Sequence, residues 1–129
     1  MTDPISDFFN RIQNAYRAER AATIVPYSRL KEEIAKVLEA KNYIAGYEKK
    51  GRKVRKFLEV KLRYDGTMPA MHGVKRLSRP SRRLYAGASD IRPVKQGYGF
   101  LVISTSKGLM SGDEARKATL GGELIAEIW

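Results

Sequence analysis

Hydrophobic periodicity changes along this chain, and the change dictates a mixed fold. Ile5, Phe8, Phe9, Ile12 and Tyr16 recur at the spacing of one helix face, and Leu30, Ile34, Val37 and Leu38 do so again. Leu58, Val60, Leu62 and Tyr64 instead alternate with Glu59, Lys61 and Arg63, the period of a strand with one dry face and one wet face. Phe100 to Ile103 is a continuous apolar run, which suits a buried strand. With both periods present and 129 residues available to bury a core, the α+β class follows.

Local signals place the elements. Asp3 and Pro4 suit the cap and first position of a helix over residues 3–20, with Asn10, Asn14 and Arg17 on the face opposite its apolar stripe. Thr23-Ile24-Val25 reads as a short strand closed by Pro26. Ser28 caps a second helix over residues 29–41, with Lys31 near its start and off the apolar face. Tyr43 to Tyr47 reads as a strand. Lys49 to Lys56 reads as a basic hairpin tip around Gly51, carrying Lys53, Arg55 and Lys56. Asp65-Gly66 marks a turn, and residues 66–73 read as a linker. A second basic cluster runs from Lys75 to Arg83 around Pro80, before the strand-like Leu84-Tyr85-Ala86. Ser111 and Glu114 form a capping box that predicts a short helix over 112–118, and Leu124 to Trp129 reads as a closing strand. The division is two small, closely packed modules. Residues 1–66 run helix-strand-helix-strand-strand, and residues 67–129 are mainly β with one short helix.

Charge selects the class of partner. Lys and Arg number 25 against 14 Asp and Glu, for a net charge of +11. The excess is spread evenly, +6 on residues 1–66 and +5 on residues 67–129, so both modules are expected to face one polyanion. There is no cysteine, which removes disulfides and thiolate chemistry and fits a reducing compartment. Met1-Thr2-Asp3-Pro4 does not open a signal peptide, and no apolar run reaches the ~18 residues of a membrane span, so the expectation is a cytoplasmic, membrane-free protein. Catalysis has little to stand on. Ser104-Thr105-Ser106-Lys107 matches the S-x-x-K pattern of serine acyl-enzymes, but the companion S-D-N and K-T-G elements are missing. His72 is the only histidine and has no acidic neighbour. Neither a dinucleotide fingerprint nor a Walker loop is present, and no cofactor or metal is called for.

Binding chemistry is richer. Ser104-Thr105-Ser106-Lys107-Gly108 packs three hydroxyls, a cation and a glycine between an apolar strand and a capped helix. Hydroxyls donate and accept, which suits sugar 2′-hydroxyls and base edges. Lys107 suits phosphate, and Gly108 allows close backbone approach. Spacing alone fits an ordinary strand-to-helix turn equally well. Tyr27, Tyr43, Tyr47, Tyr85 and Tyr98 can stack on unpaired bases, although most tyrosines in a domain of this size pack.

Three segments carry a resemblance. Ile103-Ser-Thr-Ser-Lys-Gly-Leu-Met, with Glu114-Ala-Arg-Lys and Gly121-Gly122-Glu123, resembles the C-terminal signature of small-subunit ribosomal protein eight of bacterial type. Gly73-Val-Lys-Arg-Leu-Ser-Arg-Pro-Ser-Arg-Arg-Leu-Tyr resembles that family's basic segment, and Asp3 to Ala15 its opening helix. The resemblance implies a two-domain α+β protein without enzymatic activity. It implies primary binding to the central domain of small-subunit ribosomal RNA, help in assembling the platform, and contact with neighbouring proteins, notably protein five. It also allows repression of translation of its own operon through an mRNA mimic of that site, and a monomer off the ribosome. By matching position it puts Ser104, Thr105, Ser106, Lys107 and Gly108 at the RNA minor groove, flanked by Tyr85 and Arg83. Glu123 then orients neighbouring groups or a base amino group. Asn14 and Lys31 approach the sugar-phosphate backbone, and Lys53, Arg55 and Lys56 contribute electrostatically. Ser81 stands where the family has glycine after proline, and Ala126 or a neighbour where it often has cysteine.

Competing readings are a free repressor acting on mRNA, a Ser/Lys acyl-transfer enzyme, and a basic DNA-binding or membrane-surface protein. The last lacks both a helix-turn-helix signature and a basic amphipathic helix.

Overall fold

The structure is a computed structural model that describes residues 3–129, and its described residues form two compact units, Pro4–His72 and Gly73–Trp129 with Asp3. The architecture is α+β, in the expected element order. Helix α1 spans Pro4–Arg17, strand β1 Ala22–Pro26, helix α2 Arg29–Ala40, β2 Gly46–Arg52 and β3 Arg55–Lys61. The short strands β4 (Tyr64–Asp65) and β5 (Met68–Pro69) finish the first unit. The second contains β6 (Val74–Arg76), β7 (Tyr85–Ala86), two 3-10 turns, β8 (Phe100–Thr105), β9 (Gly108–Ser111), helix α3 (Gly112–Lys117) and β10 (Gly122–Ile128).

In the first unit, β1, β3 and β2 form an antiparallel sheet in that order. Its dry face carries Val25, Leu58 and Val60, all fully buried, and these sit in matched register as Val25↔Leu58 and Thr23↔Val60. Helices α1 and α2 pack against the strands through Phe8, Phe9, Ile12, Ile34 and Leu38. Each fully buried side chain of this kind contributes about 1.5–3 kcal/mol relative to exposure. Ser28 caps α2 as expected, its Oγ accepting from the Lys31 N–H at 3.2 Å.

Several boundaries move, for local reasons. Tyr43 to Ala45 are not strand. Asn42 takes φ 65° at the end of α2, the Tyr43 N–H closes on the Leu38 carbonyl, and Ile44 is folded into the core. The hairpin turns at Lys53-Val54 rather than at Gly51, because Lys53 takes φ 53° while Gly51 pairs with Lys56 inside the ribbon. Residues 66–73 are more than a linker. Gly66, φ 65°, turns β4 into β5, and Met71 is buried.

The second unit is built around β10, which pairs with β8 on one side and with β7 and then β6 on the other. A bulge between Leu124 and Ala126 takes Ile125 out of register. Its carbonyl is satisfied by the Leu77 N–H at 3.1 Å and the Arg76 guanidinium at 2.6 Å. Leu101, Ile103, Ile91, Val94 and Ala115 form the core on one face of this sheet, with Leu77, Met110 and Leu124 against it. Ser111 caps α3 through the Glu114 N–H at 3.3 Å, the cap that the S-x-x-E spacing predicts.

One polar link in the first unit yields a prediction. The Tyr16 hydroxyl donates to the Tyr43 carbonyl at 2.6 Å and accepts from the Arg63 N–H at 3.1 Å. Burial raises its pKa above the ordinary 10.0, outweighing the opposing pull of the Arg63 N–H. The unfolded chain therefore loses this proton first. The resulting stability is fully present below pH ~10 and is lost as pH rises through the folded-state value. Tyr16→Phe should cost about 1–3 kcal/mol at neutral pH by urea denaturation. It should also flatten the alkaline fall in stability without abolishing it, because burial raises Tyr43, Tyr47 and Tyr64 in the same direction.

Candidate nucleic-acid interface

Strand register assembles most of the expected site residues of the second unit. Glu123 on β10 faces Tyr85 on β7 and Ser104 on β8, and Ser104 faces Leu109 on β9. Residues opposite one another in a sheet share a face, so Tyr85, Glu123 and Ser104 line one row. Arg83, two residues before Tyr85, reaches Glu123 with Nη1 at 3.1 Å from Oε2. The Glu123 side chain is only 19% exposed, so its carboxylate is held while Arg83 stays half open to solvent. Tyr85 is 70% exposed and offers an aromatic face at the end of the row.

The row exists because Gly122 has no side chain. A Cβ there would overlap the Ser104 carbonyl. The glycine lets β10 lie close between β8 and β7, with Thr105 and Ala86 as its partners. Beyond Thr105 the chain turns through Ser106 and Lys107, both exposed, and returns at Gly108 with φ 107°. This is the signature of a turn closed by a glycine in the left-handed region. The Thr105 hydroxyl donates to the Gly108 carbonyl at 2.8 Å and accepts from the Lys107 N–H at 3.1 Å.

The basic segment is shaped by a residue that sequence reasoning passed over. Ser78 is fully buried, and its Oγ accepts from the Leu84 N–H at 2.7 Å. With the paired backbones of Arg79 and Arg82, this pinches residues 79–83 into a loop with Pro80 and Ser81 at its tip. Ser81 stays out of the left-handed region, so the tip closes without the family's glycine. The only trace of the clamp in sequence is a serine just before an Arg-Pro turn.

In the first unit the expected residues separate. Asn14 is exposed and lines a groove of about 360 Å³ with Arg11, Ala15, Ala18, Arg20 and Thr23. Arg11 is tied to Asp7 at 2.9 Å, whereas Arg20 has no ion-pair partner among the described residues. Lys31 does not join them. It is 7% exposed, and its ammonium is spent on the Pro26 carbonyl at 3.2 Å. Lys53, Arg55 and Lys56 sit at the hairpin tip, beside a 97% exposed Val54. Further down the ribbon, Lys50 meets Glu59 at 3.0 Å and Lys61 meets Glu48 at 3.9 Å. The Glu59 carboxylate, by hydrogen bond and charge, raises the Lys50 pKa. Among the described residues no such partner lies within 4.0 Å of Lys53, Arg55 or Lys56, so unbalanced charge is concentrated at the tip. No group of three or more potential metal ligands occurs among the described residues.

The close approach at Gly122 is testable. Gly122→Ala should cost about 1–3 kcal/mol, read as a fall in Tm, because β10 must move off β8. Gly87→Ala is the control. Its Cβ would meet only the Asp90 carboxylate at 3.7 Å, an ordinary contact, and Tm should hold.

Comparison with known proteins places the chain in a family. The family model for ribosomal protein S8 matches residues 3–129. Small ribosomal subunit protein uS8 of Thermus thermophilus is 42% identical over 137 residues, spanning 100% of this chain and 99% of the relative. The uS8 proteins of Mycoplasmopsis pulmonis and Halorhodospira halophila are 42% and 43% identical over 129 residues, each spanning 100% of this chain and 98% of the relative. Such identity over the full length is shared family, and the chain belongs to the ribosomal protein S8 family, whose members are structural proteins of the small ribosomal subunit and not enzymes.

Proposed function

We propose that this chain, as a structural constituent of the small subunit of the cytoplasmic ribosome, binds the central domain of small-subunit ribosomal RNA and helps that region assemble. The observation that carries the reading is the row Tyr85–Glu123–Ser104, with Arg83 on Glu123 and the Ser106-Lys107 turn beside it. An exposed aromatic face stacks on an unpaired base. The Ser104 and Ser106 hydroxyls, neither spent on a bond among the described residues, meet 2′-hydroxyls or base edges. Lys107 meets phosphate, and the Gly108 backbone allows close approach. Glu123 holds Arg83 in place, and its second oxygen accepts from a base amino group. These donors and acceptors favour RNA over a DNA duplex, because the 2′-hydroxyl is part of what they bind.

In the first unit, Asn14 with Arg20 meets the sugar-phosphate backbone, and Lys53, Arg55 and Lys56 add attraction without sequence preference. Lys31 acts from inside, by holding the start of α2 against Pro26. The same RNA-binding surface recognises a message that copies the ribosomal site, which is how such a protein represses its own operon. Neighbouring ribosomal proteins, protein five among them, complete the setting that the family resemblance implies.

The test is binding to a short hairpin that copies the central-domain site, measured across a salt series beside a scrambled RNA and a DNA duplex of equal length. Preference for the cognate RNA that survives moderate salt is the expected result, and equal, salt-labile binding to all three would overturn the reading. Replacing Lys53, Arg55 and Lys56 together with Gln should flatten the dependence of log K on log salt, by about 0.9 for each phosphate no longer neutralised if duplex behaviour applies. An unchanged slope would take the hairpin tip out of the RNA interface.

A further inference from the structure

We infer that Thr105 is a positioning residue of the Ser104–Gly108 loop, and that its hydroxyl makes the turn while Ser104 and Ser106 make the contacts. The inference rests on the reading of this loop as an RNA-binding element. Three observations carry it, and none is visible in the run of hydroxyls itself.

The first is the hydrogen-bond ledger of the hydroxyl. Its proton goes to the Gly108 carbonyl at 2.8 Å, and one lone pair takes the Lys107 N–H at 3.1 Å. A hydroxyl has one proton to give, so Thr105 has no donor left for an RNA acceptor. The second is direction. Neighbouring residues of a strand point to opposite faces. Ser104 stands in the row of Tyr85 and Glu123, whereas Thr105 stands in the row of Ala86, Gly122 and Gly108, on the side of Ile103 and the core. The third is the space around it. Its two cross-strand neighbours are both glycines, Gly122 on β10 and Gly108 on β9, so no side chain competes for the hydroxyl.

Together these make Thr105 a clasp across the turn. It joins the last residue of β8 to the first of β9 and fixes the Lys107 amide, which sets where Ser106 and Lys107 project. The β-branched side chain has few rotamers to lose in a strand, so holding the clasp costs little entropy.

Two readouts separate a clasp from a contact. One is the exchange rate of the Lys107 amide in the free protein. The other is affinity for the central-domain hairpin. Thr105→Val keeps the shape and removes the hydroxyl. It should speed Lys107 exchange and weaken RNA binding, each by several-fold up to about tenfold, the equivalent of one net hydrogen bond. Thr105→Ser should restore both. Ser106→Ala should weaken binding while leaving Lys107 exchange at the wild-type rate. Wild-type exchange in Thr105→Val would overturn the inference, since the hydroxyl would not be holding the turn. Fast exchange with unchanged affinity, while Ser106→Ala binds weakly, would also overturn it and leave the RNA reading standing. Unchanged affinity in all three variants would instead remove the loop from the interface.

Discussion

Strand β10 has neighbours on both sides, and the separation that Gly122 permits sets the geometry at the Ser104 end of the second unit. A backbone held this close to the Ser104 carbonyl forces β8 and β7 into register about it. Tyr85, Glu123 and Ser104 then fall into one row without any side chain having to seek another. Further along the same strand, the bulge at Ile125 resets the pairing, and the Leu77 N–H and the Arg76 guanidinium both donate to its carbonyl. A chain with a strongly positive charge thus spends one guanidinium internally, on the Ile125 carbonyl and on the Asp3 carboxylate 3.4 Å from its Nε.

The same logic sorts the other charges. Lys31 is buried on a carbonyl, Lys50 and Lys61 are balanced by Glu59 and Glu48, and Arg83 is held by Glu123. Lys53, Arg55, Lys56 and Lys107 project without a partner in the first 4.0 Å among the described residues. Net charge therefore overstates how many cations stand ready for a polyanion. Lys53, Arg55, Lys56 and Lys107 all lie in or beside hairpin turns, where a phosphate can approach.

Periodicity and punctuation made much of the fold legible. Phe8, Phe9 and Ile12 are core residues at helical spacing, Leu58 and Val60 are core residues at strand spacing, and Ser28 and Ser111 cap the helices they precede. The failures share a cause. Tyr43 and Ile44 are β-prone residues turned by Asn42 in the left-handed region, and Met71 is buried in a stretch whose Gly and Pro content reads as linker. In both places a backbone conformation, invisible to side-chain pattern, outweighed propensity. Ser78 escaped notice because a serine among arginines carries no signal of burial, which is decided by the chain folding back at Leu84.

For the candidate interface, the amino-acid sequence alone determined the inventory: hydroxyls, cations, a glycine pair and an aromatic, in motifs specific enough to imply the family. It determined the local chemistry of caps and turns too, because these depend on residues three or four apart. What only the tertiary structure decided is which groups are free to act. Ser104 and Thr105 are adjacent and chemically alike, yet one shares a face with Tyr85 and Glu123 while the other is consumed by Gly108 and Lys107. Lys31 and Lys53 carry the same charge, yet one is buried and one sits at a hairpin tip. A hydrogen bond or a burial is a property of two segments brought together, and no single segment contains it.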